Sequence, residues 1–426
     1  MGIEFIKEFF RNAPSFLTGR TPGQLVIQTT DFCNARCPQC GMRVQEKFKR
    51  SRLDKIETFS IIDRAAENGV KAMSFTGGEP FMFEETLLEC ISYARLKKIP
   101  YLRTGTNGFM FMGAEKPDFL YRMREFAKRL KDSGLYTFWI SLDSWDIVEH
   151  EAGRGLKGVT DGIRRALPVF AEEGVYPSAN LGINRTIVRD DVRASADSTD
   201  EEKQLFYRAY RKGFDKFYSF AASMGFTIAN ACYPMSMQEG AVYKAESSDD
   251  MVTFNDTEKY LLFSALYDTI AEHRKDIRIF TPKSSLRVLI DHYGGAKKAG
   301  FACYGGIDYF FVNSADGHAY PCGFRVQDDM GRYAELDTSR IKARPDCRQC
   351  DWECFRDPSN QTGVIAEFFR RPFGVIGFMA SEPKFMKDWI TDILYYFACG
   401  MFCFRKAPVY SRMRRFRRKG QPKMLL

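Results

Sequence analysis

The chain has 426 residues, enough for one large catalytic domain and smaller modules. Apolar residues make up 45%, which excludes global disorder, and the 38 phenylalanines suit a Phe-rich core, an apolar substrate cavity or a membrane-facing surface. The net charge of +9 belongs to one segment, because nine cations and no acidic residue lie between Arg405 and Leu426. The N-terminus lacks the apolar run of a signal peptide, so we expect a cytoplasmic protein whose twelve cysteines bind metal rather than form disulfides.

Strand and helix patterns alternate from Leu25 to about Met237. Short apolar runs predict six strands: Leu25–Thr30, Lys71–Gly78, Tyr101–Gly108, Tyr136–Ser144, Ser178–Val188 and Phe226–Tyr233. The first helix is predicted to begin at Asp54 and end at Gly69, with its apolar face formed by Ile56, Phe59, Ile62 and Ala66. Six strand–helix units predict an α/β fold with parallel strands that close into a full or partial (β/α)₆ barrel.

Polar and metal-binding residues follow these strands at their carboxyl ends. Cys33 follows the first strand, Gly77-Gly78-Glu79 the second, Thr106-Asn107 the third and Ser141–Asp143 the fourth. The carboxyl ends of the strands form the active-site face of such barrels, so we expect these residues to share one site.

Three cysteines, Cys33, Cys37 and Cys40, stand on one short loop. Three thiolates can hold three irons of a four-iron four-sulfur cubane and leave the fourth iron open for a substrate or cofactor. An electron carrier would ligate every iron, and no fourth cysteine is close in the sequence. The alternative is a zinc knuckle, although structural zinc usually takes four ligands and no nearby histidine supplies one.

The CxxxCxxC loop after the first strand resembles the signature of the radical S-adenosylmethionine (SAM) superfamily. The resemblance implies a partial (β/α)₆ barrel and a 4Fe–4S cluster whose open iron chelates SAM. One electron, from a reductant such as flavodoxin or ferredoxin, then cleaves SAM to methionine and a 5′-deoxyadenosyl radical that abstracts hydrogen from a substrate. Gln39 departs from the pattern, because the residue before the third cysteine is usually aromatic and packs near the adenine.

Gly77-Gly78-Glu79-Pro80 resembles the GGE motif of the same family, and polar groups there can meet the ammonium of SAM. Thr106 and Asn107 are weaker candidates for the same cofactor site.

Ser141 and Asp143 resemble the positions that bind the ribose hydroxyls, although Asp143 could instead be a capping residue. Arg185, on the predicted fifth strand, could pair with the SAM carboxylate or form a surface salt bridge.

A second cysteine set lies near the C-terminus, with Cys303 and Cys322 followed by Cys347, Cys350 and Cys354. This set resembles the SPASM and twitch extensions of radical SAM enzymes. The resemblance implies one auxiliary 4Fe–4S cluster on the first four cysteines, with Cys354 as a substitute ligand. The alternative is a zinc site on the same cysteines.

The C-terminal tail combines the apolar run Trp389–Phe404 with the basic run Arg412–Lys419. The apolar run is too short to span a bilayer, but the pair suits an anionic membrane surface, and Ile3–Phe10 could form a second anchor. The alternative is a helix docked on the enzyme body with a solvated basic end. No nucleic-acid-binding pattern accompanies the tail, so no nucleic acid is expected.

We divide the chain into an N-terminal amphipathic segment (1–20), the barrel (21–237), a bridging helical region (238–300), the auxiliary-cluster module (301–360) and the tail (361–426). The predicted function is radical SAM chemistry on a lipid or lipid precursor at the inner face of the membrane. A peptide-modifying maturase or a radical dehydrogenase is the alternative. A non-catalytic iron–sulfur or zinc protein is the alternative of another class.

Overall fold

The computed structural model describes residues 14–234, 241–245, 247–296 and 300–416. Two parts of the predicted membrane contact, Ile3–Phe10 and Arg417–Lys419, lie outside the described residues.

Nine strands form one sheet in the order β7-β6-β5-β4-β3-β2-β1-β8-β9. The strands are β1 (Gly23–Thr30), β2 (Val70–Gly77), β3 (Tyr101–Thr106), β4 (Thr137–Ser141), β5 (Ser178–Gly182), β6 (Ile228–Cys232), β7 (Arg278–Ile279), β8 (Tyr309–Val312) and β9 (Ala319–Tyr320). Neighbouring strands are parallel throughout, except that β9 is antiparallel to β8. The α/β class and the six predicted strands are confirmed, and the barrel is a partial one.

Helices cover one face of the sheet and build the C-terminal part. They are α1 (Lys55–Glu67), α2 (Glu84–Leu96), α3 (Phe119–Asp132), α4 (Ile147–Arg154), α5 (Val159–Glu172), α6 (Asp200–Met224), α7 (Asp256–His273), α8 (Lys283–Tyr293), α9 (Glu353–Arg370), α10 (Pro372–Ser381), α11 (Pro383–Ala398) and α12 (Tyr410–Met413).

Helix α1 begins where the sequence predicts, because the Asp54 side chain accepts the backbone N–H of Glu57. Its buried face was predicted only in part: Ile62 is buried and Phe59 packs against the core, but the other buried residues are Thr58, Ile61 and Ala65. Ile56 is 74% exposed.

The two faces of the sheet differ in exposure. Residues such as Leu102, Phe138 and Ile140 face the helices and are fully buried. The alternating residues of β3 to β6 are partly exposed and face the barrel interior, for example Arg103 and Trp139. A Cβ atom at Gly105 would lie 1.9 Å from Nε1 of Trp139, so only glycine lets this indole cross the interior face of β3.

The predicted C-terminal module contributes to the barrel sheet, because its strand β8 pairs in parallel with β1. Asp308, just before β8, accepts the Nε–H of Arg20 at 2.7 Å and the backbone N–H of Thr21 at 2.8 Å. These contacts join the module to the chain segment that enters β1.

The tail helix α11 docks on the body of the protein, as the alternative for the tail anticipated. The Tyr395 hydroxyl accepts the backbone N–H of Ile279 at 2.9 Å, and Asp392 is fully buried beside Arg274 at 2.5 Å. Among the described residues, no helix combines the length and apolarity required of a membrane span.

Candidate functional site

The three-cysteine loop leaves the end of β1 and is held by polar contacts of Asp31. The Ser51 hydroxyl donates to Oδ2 of Asp31 at 2.8 Å, and the Arg50 guanidinium donates to its carbonyl at 2.6 Å. Within the loop, the backbone N–H of Ala35 points at Sγ of Cys33 at 3.5 Å. The loop is therefore fixed at the carboxyl edge of the sheet by residues outside the cysteine motif.

The three thiols are close enough to affect one another's charge. Burial raises the pKa of Cys37 to about 11 and that of Cys40 to about 12, and the neighbouring thiol of Cys37 adds to the shift at Cys40. Three such thiolates need a cationic partner, and an iron–sulfur cluster supplies one. The donor set therefore fits a cluster held by three protein ligands.

Gly77 and Gly78 bring the end of β2 against this loop. The backbone N–H of Gly78 donates to the carbonyl of Thr30 at 2.7 Å. An added Cβ at Gly77 would lie 2.1 Å from the Thr30 carbonyl oxygen, and one at Gly78 would lie 2.1 Å from that of Phe32. Only glycine permits this approach, so the motif sets the position of the cysteine loop.

Glu79 links the ends of β2 and β3. Its carboxylate is 1% exposed and accepts the backbone N–H groups of Phe81 at 3.0 Å and Asn107 at 2.5 Å. Burial raises the pKa of Glu79 to about 7 despite these donors. The structure therefore gives this carboxylate backbone partners, and contact with the SAM ammonium stays a prediction.

Thr106 and Asn107 form the turn after β3. The Asn107 side-chain amide donates to Oδ1 of Asn34 at 2.7 Å and lies 3.9 Å from Sγ of Cys33. The Thr106 hydroxyl accepts the backbone N–H of Gly108 at 3.0 Å. Asn107 is thus beside the first cysteine, whereas Thr106 stabilises its own turn.

Asp143 lies just beyond β4 in a buried polar network. Its Oδ2 atom is 2.7 Å from a guanidinium nitrogen of Arg154 and accepts the side-chain amide of Gln39 at 2.7 Å. The residue that departs from the family pattern therefore bonds to the predicted ribose-binding carboxylate. Ser141, at the last position of β4, is partly exposed on the interior face.

Two residues of α4 belong to this network and were missed in the sequence. Nδ1 of His150 accepts the backbone N–H of Asp143 at 3.2 Å, and burial followed by the charge of Arg154 lowers the pKa of His150 to about 4. Burial alone would lower the pKa of Arg154, but Asp143 and the Cys37 thiol outweigh it and the pKa is raised. Their spacing of four residues on a helix after β4 was the available signal.

Arg185 was predicted on the fifth strand, but β5 ends at Gly182 and Arg185 lies in the following turn. Its guanidinium is buried, pairs with Glu258 at 2.8 Å and donates to the Thr253 carbonyl at 2.6 Å. Arg185 therefore forms a salt bridge, as one of the two predictions for it stated, but the pair is buried and not at the surface. This cation already has a protein carboxylate, and its pairing with the SAM carboxylate stays untested.

The C-terminal cysteines share one apolar core with Trp352 and Phe355. Burial raises the pKa of Cys322 to about 11, and the thiols of Cys303 and Cys347 raise it further. Burial also raises the pKa of Cys350, with contributions from Cys303 and Cys322.

Cys354 has different neighbours. After burial, the largest influence on its pKa is Glu353, followed by Arg103 and Asp357. Its thiol lies 3.9 Å from Oε1 of Glu353. Cys354 thus packs against the same apolar core as the other four cysteines, but its charged neighbours are Glu353 and Arg103.

Glu353 lies in the first turn of α9, and burial raises the pKa of its carboxyl to about 7. The side chain interacts with Cys232 on β6, whose thiol accepts the side-chain amide of Asn180 at 3.4 Å. The interior thus contains a carboxyl group beside a thiol.

Within the described ranges, no three or more His, Cys, Asp or Glu side chains are grouped as ligands of one metal ion.

Residues 27–191 match the radical SAM superfamily, and this range contains the cysteine loop, the glycine motif and Asp143. This part of the chain is therefore similar to the radical SAM superfamily. The similarity implies a 4Fe–4S cluster and SAM as cofactors.

Two curated relatives extend this finding. The Fe-coproporphyrin III synthase of Methanosarcina barkeri is 33% identical over 180 residues, which cover 42% of this chain and 41% of the relative. The AdoMet-dependent heme synthase of Nitratidesulfovibrio vulgaris is 23% identical over 319 residues, which cover 75% of this chain and 76% of the relative. The first match thus spans about two fifths of that relative's length.

Among solved structures, native anSMEcpe with bound AdoMet has a TM-score of 0.48 and 18% identity, covering 75% of this chain and 79% of that one. SuiB of Streptococcus suis bound to S-adenosylmethionine has a TM-score of 0.47 and 15% identity, covering 75% and 65%.

Proposed function

We propose that Cys33, Cys37 and Cys40 hold the 4Fe–4S cluster and that SAM binds beside it at the carboxyl ends of β1 to β5. When bound, these cofactors supply reductive SAM cleavage and a 5′-deoxyadenosyl radical that abstracts a hydrogen atom from the substrate. The observation that carries the proposal is the set of three mutually interacting thiols on one loop, whose first residues pack against Gly77 and Gly78 at the end of β2.

The surrounding residues then have positioning roles. Arg154 places a buried cation near the thiols and is itself held by Asp143. Gln39 ties the cysteine loop to the same carboxylate. Glu79, Thr106, Asn107 and Ser141 stay candidates for SAM contacts, because they surround the loop at the strand ends.

Deoxyadenosine formation tests this proposal. The protein reconstituted anaerobically with iron and sulfide should convert SAM to 5′-deoxyadenosine when dithionite is added. Cys37→Ala should abolish the product, whereas Cys90→Ala, a buried cysteine of α2, should retain it. Equal product from both variants would refute the assignment.

We also propose an auxiliary 4Fe–4S cluster on Cys303, Cys322, Cys347 and Cys350. The support is their shared core and their mutual effect on thiol pKa. Cys354, the substitute ligand of the sequence prediction, is left out of the proposed set, because the main charged influences on its thiol are Glu353 and Arg103.

We further propose that the substrate enters the barrel interior and carries an anionic group that binds Arg103. Among the described residues Arg103 has no ion-pair partner, and its Nε–H group is buried without an acceptor. Burial lowers the pKa of Arg103, which is the effect expected of a cation that lacks a carboxylate. Asn180 and Asn230 add amide groups to the same face. This polar lining favours an anionic substrate over a purely apolar lipid.

Tetrapyrrole carboxylates are the first such class to test, because two relatives are named as synthases of Fe-coproporphyrin III and heme. Coproporphyrin III should bind with a change in its Soret band, and Arg103→Ala should weaken binding about tenfold, since one charged hydrogen bond is lost. Arg95→Ala, on the outer helix α2, is the control. If the wild-type protein does not bind coproporphyrin, peptide and lipid carboxylates become the next candidates.

A further inference from the structure

The outer surface of α10 is apolar and exposed. The helix has the sequence PFGVIGFMAS, and only Val375 is buried. Phe373 is 88% exposed, Ile376 54% and Met379 41%. An exposed patch of this kind on one helix usually marks an interaction surface, because isolated apolar residues are common but contiguous ones are not.

Helix α11 follows directly and packs against α10. Its acidic residues and its lysines lie on different faces of the helix. The Phe378 and Phe385 rings, one from each helix, are 5.4 Å apart. The acidic residues of α11 turn inward: Asp388 accepts the Tyr267 hydroxyl at 2.8 Å and Asp392 pairs with Arg274 at 2.5 Å.

The exposed residues of α11 are cations and apolar groups. Lys384 and Lys387 are exposed, as are Ile390 at 49% and Leu394 at 42%. Glu382, at the junction of the two helices, is partly buried. We call the exposed residues of α10 and α11 the docking face: Phe373, Ile376, Met379, Lys384, Lys387, Ile390 and Leu394.

A lipid surface fits this combination better than a protein does. Large exposed apolar side chains next to lysines are typical of helices that lie in the plane of an anionic membrane. The basic residues Arg412, Arg414 and Arg415, which are also exposed, follow at the far end of α11 and extend the positive charge. With ten residues, α10 can lie in the interface but cannot cross it.

We propose that the docking face binds an anionic bilayer, with the apolar side chains of α10 entering the boundary between headgroups and acyl chains. The sequence placed the apolar part of the membrane contact on Trp389–Phe404 and the basic part on Arg412–Lys419. Tyr395 and Phe402 of the apolar run are buried in the body, whereas Ile390 and Leu394 of the same run are exposed. The docking face therefore adds α10 to the predicted contact and keeps only the outer side of α11. This inference does not depend on the radical chemistry or on the substrate.

Vesicle sedimentation of the full-length protein tests it. The protein should bind vesicles that contain phosphatidylglycerol and bind pure phosphatidylcholine vesicles weakly. Phe373→Asp and the pair Lys384→Glu with Lys387→Glu should each lower the partition coefficient at least about tenfold. The controls are Leu96→Asp, which changes a 77% exposed leucine of α2, and Lys157→Glu, which changes an exposed lysine elsewhere. Both should bind as the wild type does.

Insertion of residue 373 into the bilayer can be measured separately from binding. In Phe373→Trp, the added fluorescence should be quenched by brominated phospholipid in anionic vesicles. Absence of binding, equal binding to both vesicle types, or wild-type binding by Phe373→Asp would overturn the proposal. A dimer seen by sedimentation velocity without lipid, and lost in Phe373→Asp, would assign the face to a second copy and also overturn it.

Discussion

At the residue scale, the site depends on a few buried charges that partner each other. Asp143, Arg154 and Gln39 connect the end of β4, the helix α4 and the cysteine loop. A buried ion pair of this kind contributes little by its formation, but removing one partner leaves a costly isolated charge. The network therefore makes the loop position sensitive to single substitutions.

Asp143→Ala should destabilise the protein by about 3–5 kcal/mol, because Arg154 would be left buried without a carboxylate. Urea unfolding followed by circular dichroism measures this effect. The matched control is Asp197→Ala, which changes an exposed loop carboxylate and should alter stability by no more than about 0.5 kcal/mol. Equal midpoints for the two variants would contradict the role of the network.

The Glu353 carboxyl predicts a pH dependence of stability. Its folded pKa of about 7 lies above the usual value of 4.5, so the folded state binds the proton more tightly than the unfolded state. The stabilisation that this proton gives the folded state is fully present below about pH 4.5 and is lost as the pH rises through about 7. Melting temperatures measured across this range should fall less in Glu353→Gln than in the wild type. The exposed Glu201→Gln should follow the wild type, and parallel curves for all three proteins would count against the shift.

The sequence predicted those residues of the site that act through local motifs. Cys33, Cys37 and Cys40 share one loop, and Gly77-Gly78 follow a strand, so their spacing alone carries the signal. The contact of Gln39 with Asp143 could not be found that way, because the two residues lie far apart in the chain. His150 and Arg154 lie close to Asp143 in the chain, and only their spacing of four residues on α4 indicated a shared face. Arg185 was a candidate, but its partner Glu258 lies on the distant helix α7 and was not predicted.

At the element scale, the close approach of β2 to the cysteine loop is among the contacts of the fold that require glycine. Gly78→Ala would place a Cβ within 2.1 Å of the Phe32 carbonyl oxygen, so the loop must shift. We expect this variant to lose most of the iron bound by Cys33, Cys37 and Cys40. Gly153→Ala is the control, because nothing lies within 4 Å of an added Cβ there. Iron assays on both reconstituted proteins measure the difference, and full iron in Gly78→Ala would show that the loop tolerates the shift.

The elements that the sequence did not predict are those formed by distant pairing. Strand β8 is only four residues long and fully buried, so its apolar run has no alternation to mark it. Its partner residues on β1 lie almost three hundred positions earlier, as in the pairing of Gln24 with Tyr309. The strands β1 to β6 were predictable because each begins a repeating strand–helix unit.

At the scale of the whole molecule, the barrel and the C-terminal module form one continuous sheet. Strand β8 extends the barrel beside β1, and the first turn of α9 places Glu353 and Cys354 at the barrel interior. The backbone carbonyl of Cys354 accepts the side-chain amide of Gln24 at 2.8 Å. The first turn of α9 therefore lies beside the proposed substrate space.

Iron content combined with SAM cleavage tests the central claim most directly. The reconstituted wild-type protein should hold about eight irons and form 5′-deoxyadenosine with dithionite. The variant with Cys33, Cys37 and Cys40 all changed to alanine should keep about four irons, on Cys303, Cys322, Cys347 and Cys350, and form no deoxyadenosine. Deoxyadenosine from this triple variant would contradict the account.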